Sequence, residues 1–248
     1  MTAEVVPTAA ALVIGNEILS GKVQDTNSRD LALLLRRLGV RLEKILVIPD
    51  DRAQIATSVA HLSKCHDWVF TSGGVGPTHD DVTIEAVSDA FGVRTVTDEV
   101  TANLIRAHYG ARCTDGHLRM ALVPEGANLD VTESVRWPTI RMHNTFVLPG
   151  IPEVFRMKLA VVEAVIGRHR PFVSHAVYTN MDEGHLKPLL DAVVALFPDI
   201  DVGSYPTWTD ARFRTKLTFD GLDERAVLDA KNAFLATLPP GEPQWMEP

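Results

Sequence analysis

Apolar and polar positions in the first two thirds of the chain switch repeatedly between two periods. Residues 5–14 are mostly small and apolar, which predicts a strand buried on both faces and ending at Gly15-Asn16-Glu17. Leu31, Leu34, Leu35 and Leu38 then recur at helical spacing up to Gly39, a C-cap, with Asp25, Thr26 and Asn27 as alternative N-caps. Residues 42–48 predict a second strand, stopping at Pro49-Asp50-Asp51, and Ile55, Val59 and Leu62 give the next helix its apolar face. A third strand over 68–71 runs through a glycine-rich turn into an amphipathic stretch, 82–91. Residues 139–148 read as a fourth strand, and Pro152 suits the first turn of a helix over 153–166.

Strands that alternate with helices across short turns imply right-handed crossovers and a parallel sheet covered on both faces. The expected class is therefore α/β, a three-layer α/β/α domain with a mostly parallel sheet. Ligands of such sheets bind beyond the carboxyl ends of the strands. Gly15-Asn16-Glu17, Pro49-Asp50-Asp51, the loop 73–81 and Pro149-Gly150 should accordingly converge on one edge.

Between Gly92 and Thr139 the pattern is weaker. Val100, Leu104, Ile105 and His108 suggest one helix and residues 117–122 a shorter one. His108 and His117 lack partners at ligand spacing and read as solvated or satisfied histidines. Arg136 and Trp137 sit in hairpin-like sequence that defines no hairpin. A composition shift at Gly167-Arg168-His169-Arg170-Pro171 predicts a domain over 1–168 and a small α+β module over 169–248. In that module the periods predict strand 172–179, helix 183–197, strand 200–205, strand 211–219 and helix 223–238. Pro188 should shift the start of the first helix or kink it, and the alternation through Phe213, Thr215, Leu217 and Phe219 leaves the last strand one wet face.

Composition narrows the setting. The 248 residues suffice for one large domain with a smaller companion, and 46% apolar content with 23% charged residues describes a soluble globular chain. No run of about 18 apolar residues could span a bilayer, so no membrane partner is expected. The N-terminus lacks a basic n-region, and the expected location is cytoplasmic. A net charge of -8, from 24 basic against 32 acidic residues, argues against a nucleic-acid surface. Cys65 and Cys113 are isolated and give no reason to expect zinc.

The densest chemistry lies in residues 71–83, TSGGVGPTHDDVT. Glycines let a backbone approach a phosphate closely, and amides opening a helix point donors at it. Asp80 and Asp81 share that loop. At ~4 Å and an effective dielectric of ~20, each would repel a phosphate charge by about 4 kcal/mol. A divalent cation between carboxylates and phosphate removes the conflict; alternatively both acids simply cap the helix and offset its dipole. Without Gly-Lys-Ser/Thr the loop is no Walker A motif, and His79 stands where G-x-G-x-x-G requires its third glycine.

Several of these motifs together carry a family resemblance. Gly15-Asn16-Glu17-Ile18-Leu19, Asp25-Thr26-Asn27, Pro49-Asp50-Asp51, the run from Ser72 to Thr83, and Leu148-Pro149-Gly150-Ile151-Pro152-Glu153 resemble the N-terminal domain of competence/damage-inducible protein A. That domain belongs to the molybdopterin-binding superfamily, with MoaB and MogA. Thr78-His79-Asp80-Asp81-Val82-Thr83, Phe146 to Glu153, and Gly203-Ser204-Tyr205-Pro206 are most similar to the version fused to FAD synthase in eukaryotes. The C-terminal module resembles the family's small KH-like domain.

The resemblance implies a pterin or nucleotide pyrophosphate at the carboxyl edge of the sheet. It implies either metal-dependent cleavage of a dinucleotide such as ADP-ribose or FAD, with Mg²⁺ or a transition metal, or adenylyl chemistry on molybdopterin. By position, Asp50 and Asp81 match the acidic catalytic positions, and Gly73, Gly74, Gly76 and Thr78 the phosphate loop. Gly15, Glu17, Asn27, Ser72, Pro77, Pro149 and Gly150 complete the expected ligand contacts, with Asp50, Asp80 and Asp81 as metal ligands. Asn16 stands where many relatives have aspartate, one candidate ligand fewer. The sequence stops at Pro248 without a deamidase or FAD synthase domain, so neither activity is expected. Two functions stand open, a metal-dependent nucleotide pyrophosphatase and a module that binds molybdopterin or a nucleotide without turnover. A homo-oligomer is expected on family grounds, with a monomer as its alternative.

Overall fold

Strand β1 (Thr8–Ile14) lies inside the main sheet, and its alternation divides the core in two. Ala9 and Ala11 pack with Leu31, Leu34, Leu35 and Leu38 of α2 (Asn27–Leu38) and with Phe155, Val162 and Ile166 of α7 (Pro152–Ile166). Ala10, Leu12 and Ile14 pack with Ile55, Val59 and Leu62 of α3 (Arg52–Cys65) and with Ile84 and Val87 of α4 (Thr83–Phe91). Successive strand side chains point to opposite faces, so a strand apolar throughout must be covered on both. The computed structural model describes residues 5–247, and the chain divides between His169 and Arg170 into two compact units.

In the first unit the sheet order is β2-β1-β3-β8-β7-β6. Strands β2 (Arg41–Ile48), β1, β3 (Trp68–Ser72) and β8 (Thr145–Leu148) run parallel; β7 (Thr139–Met142) and β6 (Asn128–Asp130) extend the sheet antiparallel. The three-layer arrangement expected from sequence is present. A short helix α1 (Asn16–Leu19) follows β1, where the sequence pattern predicted no element. The weakly patterned stretch holds β4 (Thr95–Thr97), α5 (Glu99–Tyr109), α6 (Asp115–Leu118) and β5 (Leu122–Pro124), with β4 and β5 paired antiparallel.

Residues 139–148 are two strands rather than the single one the apolar run suggested. The chain reverses at His143, whose φ of 52° is in the left-handed region, and the Asn144 side-chain amide donates to the carbonyls of Ser63 and His66, both at 2.9 Å. The turn is thus pinned to the end of α3, a contact invisible in local sequence.

The second unit has β9 (Val173–Thr179), α8 (Glu183–Leu196), β10 (Asp201–Pro206), β11 (Thr215–Gly221), α9 (Glu224–Leu235) and β12 (Trp245–Glu247), with an antiparallel sheet ordered β10-β11-β9-β12. Val177, Leu186, Leu217, Phe219, Val227 and Phe234 form its core. The wet-face alternation holds in β11, although the strand starts at Thr215. Helix α8 runs through Pro188 without a break. Strand β12 escaped the sequence pattern because aromatic packing recruits it: Trp245 stacks on Tyr178 with centroids 4.4 Å apart, and Phe213 meets both rings edge-on. Among the described residues no helix is long and apolar enough to cross a membrane.

Candidate functional site

Strand β3 leads into a loop whose backbone only glycine can follow. Gly73 has φ of 110° and Gly74 φ of 65°, and a Cβ on Gly73 would lie 2.1 Å from the carbonyl oxygen of Ile14. This close approach fastens the loop to the end of β1. The Gly73 amide donates to Leu148 O at 3.1 Å, fastening it to β8 as well. Below it, fully buried Thr83 donates its hydroxyl to Gly73 O at 2.9 Å and its amide to Gly74 O at 3.0 Å. The amides of Gly74, Val75 and Gly76 donate to no acceptor among the described residues.

Neither aspartate of the loop caps α4. The N-cap position is Val82, which makes no side-chain cap bond. Instead Asp81 folds back, and its Oδ2 accepts from the Thr78 amide at 2.9 Å and from the Thr78 hydroxyl. Its carboxylate sits against Gly76, where an added Cβ would meet Oδ2 at 2.7 Å. Asp80 is exposed beside His79 at 4.0 Å. Arg119, from a 3-10 turn over Arg119–Ala121, donates to Glu85 Oε1 at 3.1 Å and to Asp81 O at 3.4 Å.

A cavity of about 830 Å³ opens beside this loop. Of the residues expected at a ligand, Glu17, Gly73, Gly74, Gly76, Pro77, Asp81, Pro149 and Gly150 line it. A smaller cavity of about 60 Å³ shares Glu17 and Gly150 with it and adds Asn27 and Ser72. Asn27 is the first residue of α2, yet its side-chain amide leaves the helix to donate to Ser72 Oγ at 3.0 Å and Gly150 O at 2.9 Å. It is 5% exposed and its Oδ1 has no partner among the described residues. The N-cap is Thr26, which makes no side-chain cap bond, and Asp25 just before it accepts from the Ser28 amide at 3.2 Å.

Asp50, Asp80, Thr78 and Gly15 line neither cavity. Asp50 Oδ2 accepts from the Asn16 amide at 2.8 Å, which holds the start of α1 to the end of β2, and Thr78 is turned to Asp81. Among the described residues no three His, Cys, Asp or Glu side chains form a metal-binding group. The expected ligand trio of Asp50, Asp80 and Asp81 is therefore not assembled, because each carboxylate is directed by a different local contact. The two carboxylates on the wall of the large cavity are Asp81 and Glu17. One oxygen of Asp81 remains clear of the Thr78 bonds, and Mg²⁺ ordinarily takes one or two carboxylates together with ligand phosphates. Asp81 and Glu17 fit that demand.

Further lining comes from the weakly patterned stretch between Gly92 and Thr139. Tyr109, His117, Met120 and Trp137 contribute it, with the Tyr109 and His117 rings 3.9 Å apart. His117 Nδ1 meets the Thr114 hydroxyl at 2.8 Å within a capping box, so this histidine is satisfied, as expected, while still facing the cavity. Lys158 of α7 also lines the cavity although it is only 4% exposed. Its Nζ donates to the carbonyls of Trp137 and, at 2.6 Å, Pro138. Spacing on an amphipathic helix, where Phe155, Val161 and Val162 are core, was the one available signal for a buried lysine.

Burial pushes the Lys158 amine down from 10.5 to about 8. Between pH 8 and 10.5 the unfolded chain then binds the additional proton, so stability rises with pH across that window, by about 3 kcal/mol for this group. Below pH 8 the charge opposes folding by that amount. Urea unfolding of wild type and Lys158→Met at several pH values is expected to give a difference that changes through this window; a flat difference would refute the buried charge.

Comparisons with known proteins agree in two segments. Residues 10–170 match the family described as probable molybdopterin binding domain, and residues 171–245 match the FAD synthase middle domain. The chain is 33% identical to a probable FAD synthase of Caenorhabditis elegans, covering 86% of this chain and 46% of that protein. It is thus about half the length of that relative. A protein of Archaeoglobus fulgidus is 34% identical, with 89% of this chain and 93% of that one covered. Among solved structures, CinA of Thermoplasma acidophilum, a protein described as of unknown function, superposes with a TM-score of 0.60 at 28% identity over 65% of this chain and 99% of that one.

Proposed function

The chain belongs to the probable molybdopterin binding domain family, and from that premise we propose that its large cavity binds a phosphorylated pterin or dinucleotide and, with a divalent cation, hydrolyses a dinucleotide pyrophosphate of the ADP-ribose or FAD type. The observation that carries this reading is the cavity's polarity. Its lining combines loop amides that donate to no acceptor among the described residues, the Asp81 carboxylate, and the rings of Tyr109, His117 and Trp137, which suits a ligand with a phosphate part and a flat ring part.

The amides of Gly74, Val75 and Gly76 receive phosphate oxygens, at no cost in broken internal hydrogen bonds. Trp137 and Tyr109 hold the ring by stacking and exclude water from that end. Asp81 and Glu17 would hold the cation. When bound, it supplies charge neutralisation on the diphosphate and a more acidic water. Thr78 keeps the Asp81 carboxylate oriented through Oδ2, and Arg119 steadies the loop backbone through Asp81 O.

Incubation of the purified chain with ADP-ribose or FAD under Mg²⁺, Mn²⁺ or Co²⁺ is expected to release mononucleotides only when metal is present. Absence of product with every metal would overturn hydrolysis. One observation favours a second reading, binding without turnover: among the described residues no three-residue metal group is assembled. Calorimetric binding of ADP-ribose in EDTA, with no product under any metal, would select it.

A further inference from the structure

Among the described residues the large cavity is lined by two carboxylates, Glu17 and Asp81, and by a single Lys or Arg, Lys158. Lys158 is nine-tenths buried, and its Nζ meets only neutral acceptors, the carbonyls of Trp137 and Pro138. No carboxylate ion pair to it occurs among the described residues. A buried cation is ordinarily paired, because desolvation without a counter-charge is costly. An ammonium group has three N–H donors and the two carbonyls occupy two of them. An anionic group entering the cavity would supply the counter-charge and the acceptor for the third N–H.

We propose that Lys158 is a ligand-contacting cation, which receives an anionic group of the cavity's ligand through its third N–H while its other two hold the Trp137–Pro138 segment against the ring. This rests on the reading above that the cavity takes a phosphorylated ligand, and adds that the ligand's charge is met on two sides, by loop amides and by Lys158. The bland alternative gives Lys158 only the bracing of the 137–138 carbonyls. The two roles differ in proton balance. Burial brings the free amine to about 8, and an anion beside it favours the charged form. Binding should therefore draw in protons near pH 8, whereas bracing alone would not. The other titratable groups on the wall are Glu17, Asp81, His108, Tyr109 and His117.

The test is calorimetric titration with ADP-ribose in EDTA at pH 8, in two buffers of different ionisation enthalpy. ADP-ribose is a diphosphate diester and does not titrate near this pH, and EDTA prevents turnover. Wild type is expected to take up to about half a proton per ligand bound. Lys158→Met should weaken binding roughly thirtyfold or more and lose the uptake. Lys158→Arg, a cation that does not titrate, should retain most of the affinity without uptake, which also separates Lys158 from the histidines. Thermal melts verify that each variant is folded, and the wild-type uptake stands alone if either is not. Wild-type binding without proton uptake, or full affinity in Lys158→Met, would overturn the role of Lys158 and leave the cavity reading intact. No binding of ADP-ribose or FAD by wild type would overturn both.

Discussion

Gly73→Ala is expected to destabilise the first unit by about 4 kcal/mol. The position has φ of 110°, and an added methyl would lie 2.1 Å from Ile14 O and 3.2 Å from its carbonyl carbon. Those are backbone atoms at the end of β1, inside the sheet, so no side chain can swing away. Relief requires moving the loop off β1, which breaks the Gly73 amide bond to Leu148 O and the Thr83 hydroxyl bond to Gly73 O. Gly92→Ala is the matched control. Its φ of 67° is also left-handed, but nothing lies within 4 Å of an added Cβ, so it should cost about 1 kcal/mol from backbone strain alone. Urea unfolding curves for the two variants decide the matter. Equal losses would show that conformation, not the contact with Ile14, makes glycine necessary at 73.

Asp81→Asn is expected to lower metal-dependent hydrolysis of ADP-ribose on the order of 10³-fold while the fold is kept. The replacement leaves an oxygen that can accept from the Thr78 amide and hydroxyl, so the loop should hold its shape. What is lost is the negative charge that would hold the cation. Without metal, the sign reverses: removing a carboxylate near the phosphates relieves repulsion, and ADP-ribose in EDTA should bind more tightly than to wild type. This crossover distinguishes a metal ligand from a residue that only shapes the loop, whose loss would weaken both. Turnover at the wild-type rate in Asp81→Asn would remove Asp81 from the chemistry. The companion change Asp50→Asn should be milder, because Asp50 Oδ2 serves the Asn16 amide and lines neither cavity.

The parts of this protein that its sequence determined are those set by local chemistry. Period alone distinguishes α2 and α3 from the strands beside them, because burying one stripe or both faces leaves its mark every few residues. The glycines at 73 and 74 were legible because a tight strand-to-helix turn with positive φ, here 110° and 65°, favours glycine wherever the chain goes. Tertiary structure decided the rest. Sequence groups Asp50, Asp80 and Asp81 alike as metal ligands, and only the tertiary structure puts one on the cavity wall and leaves two off it. The turn at His143 depends on carbonyls at the end of α3, about 80 residues away in sequence. Lys158 and Trp137 carried no signal as site residues. One sits on a helix face that reads as core, the other in a segment without a period, and long-range packing alone brings both to the cavity wall.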